Sequence, residues 1–250
     1  MRYAIRSAAL GLAAALSLTA VQAQGGDDQS SSNAPRAMND TSRDSRDMDR
    51  GSARAAEQSD LVMRASRVAE HMRSDPAFGA ARQMLGNARA ILIVPSLVKG
   101  GFVFGAEGGN GVLLVRNGRG WSAPAFYSMG SASFGLQIGL EKAEVVLLIM
   151  SDRALRGIES GNFKIGGGAG ITAVTLSSGA EASTTARGGD IVAWTSATGA
   201  YGGLTLNGSV IKPRPEWNEA YYGHPVTVSE ITAGRVRDPG GRTIIAALEH

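Results

Sequence analysis

The residue types that most often perform catalysis are few in this chain and far apart. The 250-residue sequence contains no cysteine, so it offers no thiolate nucleophile, disulfide or cysteine metal site. Its three histidines are His71, His224 and His250. Neither a Gly-x-Ser-x-Gly nucleophile elbow nor a His-Glu-x-x-His metal motif occurs. We therefore predict that the protein is not an enzyme and that it uses no cofactor or metal ion.

Glycine is the most unusual feature of the composition, with 34 residues. Two clusters, at 108–111 (GGNG) and 166–170 (GGGAG), have the composition of a phosphate-binding loop. A dinucleotide loop must lead into a helix, and a P-loop needs a lysine and a hydroxyl after its glycines. Strand-like sequence follows both clusters, so we interpret the glycines as positions of bulges, coiling and close backbone approach.

Basic residues accompany an apolar stripe near the start of the globular region. Leu61, Ala65, Val68 and Met72 recur at spacings of four, three and four residues, which predicts one face of a helix. Such a helix could lie at a membrane surface with its arginines on lipid phosphates. The candidate phosphate ligands are Arg64, Arg67, Arg73 and Lys99. The alternative is that the stripe packs on a sheet and the arginines are solvated.

Aromatic residues complete the set of candidate lipid contacts, with Trp121 and Phe126 as the main candidates. Trp121 and Phe126 could line a pocket for an amphiphile, as could Trp217 and Tyr222. Packing in the core or at its rim is the alternative for each of them.

The charge balance excludes one class of partner. The sequence pI is about 9.4, but Arg2 and Arg6 belong to a segment that we expect to be removed. The remaining chain has 23 basic and 22 acidic residues, from totals of 25 and 22. Nucleic-acid binding needs a clustered basic surface, so we predict no nucleic-acid partner.

The chain begins with two segments that we do not expect to join the core. Residues 1–23 combine two arginines, an apolar run and a small-x-small triplet, which predicts a signal peptide cleaved before Gln24. Residues 24–59 are polar with interleaved arginine and aspartate, which predicts a disordered linker. We therefore expect an exported protein, in the periplasm or outside the cell, with a single domain at 60–250.

The rest of the sequence predicts an α+β fold. After two short helices, apolar β-branched segments alternate with turns, and Asn117-Gly118 and Asn207-Gly208 are typical of tight hairpins. A Gly-rich, twisted antiparallel sheet or small barrel-like sandwich is expected, with short helices on the N-terminal side and between strands.

Several segments in order resemble the SYLF domain family, also called the yeast-type actin-binding domain. They are 90–102 (AILIVPSLVKGGF), 109–113 (GNGVL), 120–126 (GWSAPAF), 135–139 (GLQIG), 163–167 (FKIGG), 201–204 (YGGL) and 218–223 (NEAYYG). The resemblance covers roughly residues 60–230. It implies a non-catalytic lipid-binding module, in this case an exported bacterial member.

The expected function is therefore binding of anionic phospholipid or a related amphiphile at the cell envelope, through the basic helix and nearby loops. Some eukaryotic members bind actin, but an exported protein would not meet it, so we predict that actin is an unlikely partner. Three alternatives remain open at this point: an outer-membrane β-barrel, an exported enzyme of an undescribed kind, and an exported structural or adhesive protein.

Overall fold

A computed structural model describes residues 38–76, 82–101, 104–118, 120–134, 139–166, 173–177, 189–198, 206, 208–240 and 242–249. The chain divides into two units, residues 1–41 and 42–250. Of the first unit, only the start of a helix at 38–41 is described. The predicted signal peptide and residues 24–37 of the predicted linker lie outside the described residues.

Six helices and nine strands are described. The helices are α1 Met38–Ser74, α2 Arg82–Asn87, α3 Asp152–Glu159, α4 Pro215–Tyr222, α5 Val228–Thr232 and α6 Thr243–Glu249. The strands are β1 Ala90–Gly101, β2 Phe104–Asn117, β3 Gly120–Trp121, β4 Ala125–Phe134, β5 Gly139–Ile149, β6 Phe163–Lys164, β7 Ala173–Ser177, β8 Ile191–Thr198 and β9 Val210–Pro213. None of the described helices has both the length and the apolar character needed to cross a bilayer.

The strands form one curled sheet in the order β6-β9-β4-β2-β1-β5-β8-β7, with β3 paired to β2. Neighbouring strands are antiparallel except β7 and β8, which are parallel. The predicted α+β fold built on a curled, largely antiparallel sheet is confirmed.

The two predicted hairpins have different outcomes. The first hairpin turns one residue later than predicted, because Asn117 is the last residue of β2 and pairs with Gly120 of the two-residue β3. Gly118, between them, has a φ of 59°, which favours glycine. Near the second turn, β9 is present, but residues 201–205 and Asn207 lie outside the described residues. The described partners of β9 are instead β4 and β6.

Strand β1 is the centre of the core. Its first five residues, 90–94, are fully buried and pair with β2 on one side and β5 on the other. The register shifts between Ile93 and Val98, around Pro95, because proline cannot donate a ladder hydrogen bond. The shift allows β1 to continue to Gly101, past the end that the proline predicts.

Helix α1 differs from the prediction in length and in environment. It begins at Met38, so residues 38–59 are helical where the composition predicts a disordered linker. Residues 53–57 (ARAAE) are strong helix formers. The prediction of disorder considered the low apolar content of the segment and not this helix propensity. The apolar stripe Leu61, Ala65, Val68 and Met72 is buried in the core.

The C-terminal end of α1 is joined to the sheet through Trp194 of β8. The Trp194 indole Nε1 donates a hydrogen bond of 3.0 Å to Oδ2 of the buried Asp75. His71 meets the same indole edge-on, with ring centroids 5.4 Å apart, and its Nδ1 lies 2.6 Å from Oε2 of Glu144 on β5. Helix α1 is therefore part of the folded domain along its C-terminal half.

Candidate functional site

The basic residues predicted as phosphate ligands are engaged in separate contacts. Arg64 Nε lies 2.8 Å from Asp60 Oδ2 one turn earlier, and Arg73 Nη1 donates a hydrogen bond of 2.9 Å to the Ala247 carbonyl of α6. Arg67 is exposed, and the side chain of Lys99 lies outside the described residues. Because the apolar stripe beneath these arginines is buried, it is not available to enter a bilayer.

The predicted aromatic contacts belong to the core. Trp121 is buried, and the Arg116 guanidinium stacks on its ring at 4.1 Å from the centroid. Phe126 is fully buried and packs against Trp217 and Tyr221 of α4, with ring centroids 6.1 and 5.0 Å apart. The core alternative is therefore the one that the structure supports for both predicted contacts.

The two described histidines, His71 and His224, are not brought together with other metal ligands among the described residues. His224 is exposed, with its Nδ1 3.2 Å from the Pro225 carbonyl, as expected of a turn residue. His71 makes the Glu144 and Trp194 contacts given above. Among the residues that the structure describes, no three His, Asp or Glu side chains are placed to share a metal ion.

An open groove of about 450 Å³ lies on one face of the sheet, across β2, β4 and β9. In β2 and β4, Gly108 is opposite Gly130, and Asn110 is opposite Ser128. In β9, Val210 is opposite Gly130, and Lys212 is opposite Ser128. Residues opposite each other in register share a face. We call this surface the β2–β4–β9 groove and define it by these six residues.

Arg214 connects the groove to α4. Its Nη1 donates a hydrogen bond of 3.0 Å to Asn110 Oδ1, its Nε donates one of 2.5 Å to Glu216 Oε1, and its guanidinium stacks on Trp217 at 4.7 Å. Partial burial alone would raise the pKa of Glu216, but the hydrogen bond and the charge of Arg214 lower it below its ordinary value. Arg214 is therefore held in a fixed position beside the groove.

A part-buried carboxylate lies on the opposite face of the same strands. Glu107 Oε1 accepts hydrogen bonds from the hydroxyls of Ser131 and Ser209, at 2.9 and 3.0 Å. Glu107 directly precedes Gly108 in β2, and successive strand residues point to opposite faces. The groove-lining side chains therefore include no acid.

The sequence interpretation missed Asn110, Ser128, Lys212 and Arg214. The available signal was that every second residue of 106–110 (A, G, N) and of 128–132 (S, G, A) is small or polar, which is typical of an uncovered sheet face. Which segments lie side by side on that face depends on the strand order, and no local pattern reports it.

Comparison with known proteins identifies relatives. Residues 130–250 match the family described as Ysc84, Las17-binding protein actin regulator. The chain is 30% identical over 181 residues to LAS seventeen-binding protein 3 of Saccharomyces cerevisiae, covering 69% of this chain and 39% of that protein. It is 33% identical over 161 residues to Protein YSC84 of the same organism, covering 62% and 34%. It is 30% identical over 151 residues to SH3 domain-containing YSC84-like protein 1 of Mus musculus, covering 59% and 44%.

These matches correct the predicted partners. The aligned region spans less than half the length of each of these relatives. The family description and the relatives' names refer to actin regulation and to Las17 binding, so the prediction that actin is an unlikely partner is wrong for this family. They give no support to the predicted anionic phospholipid partner. The description is that of a regulator and not of an enzyme. The matches place the chain in the Ysc84 family, which is the SYLF family that its sequence motifs resemble.

Proposed function

We propose that residues 42–250 form a non-catalytic protein-binding module of the kind found in actin regulators. The observation that carries this proposal is the family match over residues 130–250, which includes β9 and the helices α4, α5 and α6. The names of the yeast relatives add a second candidate partner, a protein of the Las17 type.

The fold supports a binding role because the exposed groove rests on a rigid sheet. Strands β2 and β4 pair without a register shift over Phe104–Leu113 and Ala125–Phe134, and β4 pairs with β9 on its other side. Binding sites built on strands hold their side chains in more exact positions than sites on loops. The sheet therefore provides a preorganised surface for a partner protein.

Co-sedimentation of the purified full chain with filamentous actin tests the first partner. We expect the protein to pellet with filaments in a saturable manner and to stay in the supernatant without them. A parallel measurement captures the protein on immobilised Las17 from Saccharomyces cerevisiae. Binding to either protein supports the proposal.

Binding to neither actin nor Las17 would overturn the proposed function. Phosphatidylserine vesicles are included as a competing surface, and association with vesicles alone would also overturn it. The control is the chain after heat denaturation and removal of aggregates by centrifugation. Any of this control that pellets with the filaments measures non-specific trapping.

Export of the chain stays a prediction that is separate from partner binding. It rests on the arginines and the apolar run of residues 1–23. The intact mass of the protein isolated from its own host tests it, since cleavage before Gln24 removes 23 residues.

A further inference from the structure

We propose that the β2–β4–β9 groove binds an acidic segment of a partner protein, with carboxylates at Lys212 and Asn110. This inference rests on the proposed function to the extent that the partner is a protein. It adds the chemical class of the segment that is bound and the place where it binds.

A row of opposed residues crosses the groove with a lysine at each end. Lys164 of β6 is opposite Val210, Val210 is opposite Gly130, and Gly130 is opposite Gly108. The row continues from Gly108 to Val98 of β1 and from Val98 to Lys142 of β5. Because opposed residues share a face, Lys142 and Lys164 lie on the same face as Gly108 and Gly130, the two glycines that form the floor of the groove. Each lysine is two strands, or about 10 Å, from the nearer of these glycines.

Lys212 adds a third positive charge in the adjacent row. The three lysines are exposed, and within the described ranges none has an acidic side chain within 4.0 Å. Of the nearby acids, Glu107 lies on the opposite face and Glu216 is paired with Arg214. Glu144 lies on the same face of β5 as Lys142, and its Oε2 is 2.6 Å from His71 Nδ1. The groove therefore presents a positive field that is complementary to a carboxylate.

The amide oxygen of Asn110 accepts from Arg214, so its amino group is the part that can donate to a ligand. A guanidinium can only donate, so the atom that faces Arg214 Nη1 must be Asn110 Oδ1. The Nδ2 amino group is consequently turned away from Arg214. Asn110 itself lines the groove, and its amino group can therefore donate to an oxygen of a bound ligand.

The ligand must be recognised by side chains. The backbones of β2, β4 and β9 pair with one another along the groove, so no free strand edge is available there for an added strand. Lysine, asparagine and serine side chains are suited to carboxylate oxygens.

The floor of the groove is open at Gly108. Glycine inside a strand costs stability relative to alanine, and it often marks close approach of a ligand or another chain. A Cβ at Gly130 would lie 2.9 Å from the Glu107 carbonyl, so the fold itself requires that glycine. A Cβ at Gly108 would have no heavy atom within 4 Å, so the described fold gives no reason for glycine there. The floor at Gly108 therefore has room for a bound segment.

Fluorescence anisotropy of the full chain with a labelled peptide, acetyl-Gly-Asp-Glu-Asp-Glu-Gly-amide, tests the inference. The peptide with Asn and Gln in place of its acids is the ligand control. Gly108→Val adds side-chain atoms at the floor, where a Cβ would meet no heavy atom within 4 Å. Gly120→Val is its control because Gly120 lies in β3, outside the groove. Lys212→Gln removes a charge from the groove, and Arg67→Gln removes one from the exposed surface of α1.

We expect Gly108→Val and Lys212→Gln each to weaken acidic-peptide binding by about tenfold or more. The two control variants should stay within about twofold of the wild type, as expected for distant sites. Circular dichroism of every variant shows whether it is folded. No binding of the acidic peptide to the wild type, or equal binding by folded Gly108→Val, would overturn the inference.

The outcomes separate this inference from the proposed function. Co-sedimentation with actin without peptide binding would overturn the groove assignment and leave the proposed function in place. Groove-dependent peptide binding with no association with actin or Las17 would support the groove and overturn the proposed partner class.

Discussion

Gly108 and Gly109 are neighbours in β2 whose surroundings differ. A Cβ at Gly109 would lie 2.5 Å from the Ser96 carbonyl and 2.8 Å from Val94 Cγ1, inside the irregular part of β1. A Cβ at Gly108, on the other face, would meet nothing within 4 Å. Glycine is therefore required for packing at position 109, whereas position 108 lies on an uncovered surface.

This difference predicts opposite outcomes for two alanine substitutions. Gly109→Ala should lower the free energy of unfolding by about 1–3 kcal/mol, because β1 and β2 must move apart. Gly108→Ala should stay within about 0.5 kcal/mol of the wild type or be slightly more stable. Urea unfolding followed by circular dichroism measures both. Equal destabilisation would show that the glycine run as a whole is needed for folding.

Asp238 is the described carboxyl group whose burial raises its pKa. Its Oδ1 accepts hydrogen bonds from the Tyr221 hydroxyl at 2.7 Å and the Gly240 N–H at 3.0 Å, while Oδ2 is buried without a partner in the described structure. Burial raises the pKa of Asp238, and the two hydrogen bonds reduce that effect. The phenol of Tyr221 also has a raised pKa, first because of burial and then because of Asp238.

The raised pKa of Asp238 predicts a pH dependence with a definite sign. As the pH rises above the pKa of the unfolded aspartate, about 3.9, the unfolded chain loses this proton first, which lowers the free energy of unfolding. Asp238→Asn keeps an oxygen for both donors and does not ionise. Relative to Asp238→Asn, the wild type should lose stability from about pH 4 upward and level off above the folded pKa. Urea unfolding of both proteins over this range tests it, and a pH-independent difference would contradict it.

At the scale of the element, the apolar stripe of α1 packs against the sheet. The buried residues of this helix include Met72, which is fully buried, whereas Met63 on the same helix is 50% exposed. The periodicity alone is equally compatible with a helix on a membrane surface and a helix on a sheet. The sheet provides the partner surface because Trp194 and Glu144 contact the last turns of α1.

Two methionine substitutions in α1 test this position of the helix. Met72→Ala should lower the free energy of unfolding by about 2–5 kcal/mol, because it leaves a cavity in the core. Met63→Ala removes the same atoms from an exposed site and should change it by less than about 0.5 kcal/mol. Thermal or urea unfolding gives both values. A negligible effect of Met72→Ala would mean that α1 is not docked on the sheet in solution.

At the scale of the whole molecule, the strand order creates the groove. Residues 108–110, 128–130 and 210–212 come together because β4 lies between β2 and β9. Lys212 is 84 positions from Ser128 and 102 from Asn110, yet these three residues line one surface. The lysines that flank the floor come from β5 and β6, at separate places in the sequence.

The sequence by itself determined the α+β class, the buried strand at 90–94, the presence of a hairpin after β2 and the family. Each depends on local spacing or on ordered motifs, which a single chain displays directly. It also predicted a helix with the stripe Leu61 to Met72, although it did not predict that the helix extends back to Met38.

Only the tertiary structure decided what those elements face. It buried the stripe, Trp121 and Phe126, placed one parallel strand at the sheet edge, and brought Asn110, Ser128 and Lys212 into one groove. Local patterns report which residues prefer a helix, a strand or the interior. The identity of the neighbour depends on pairing between distant segments, where many arrangements satisfy the same local preferences and the packing of the complete core selects one.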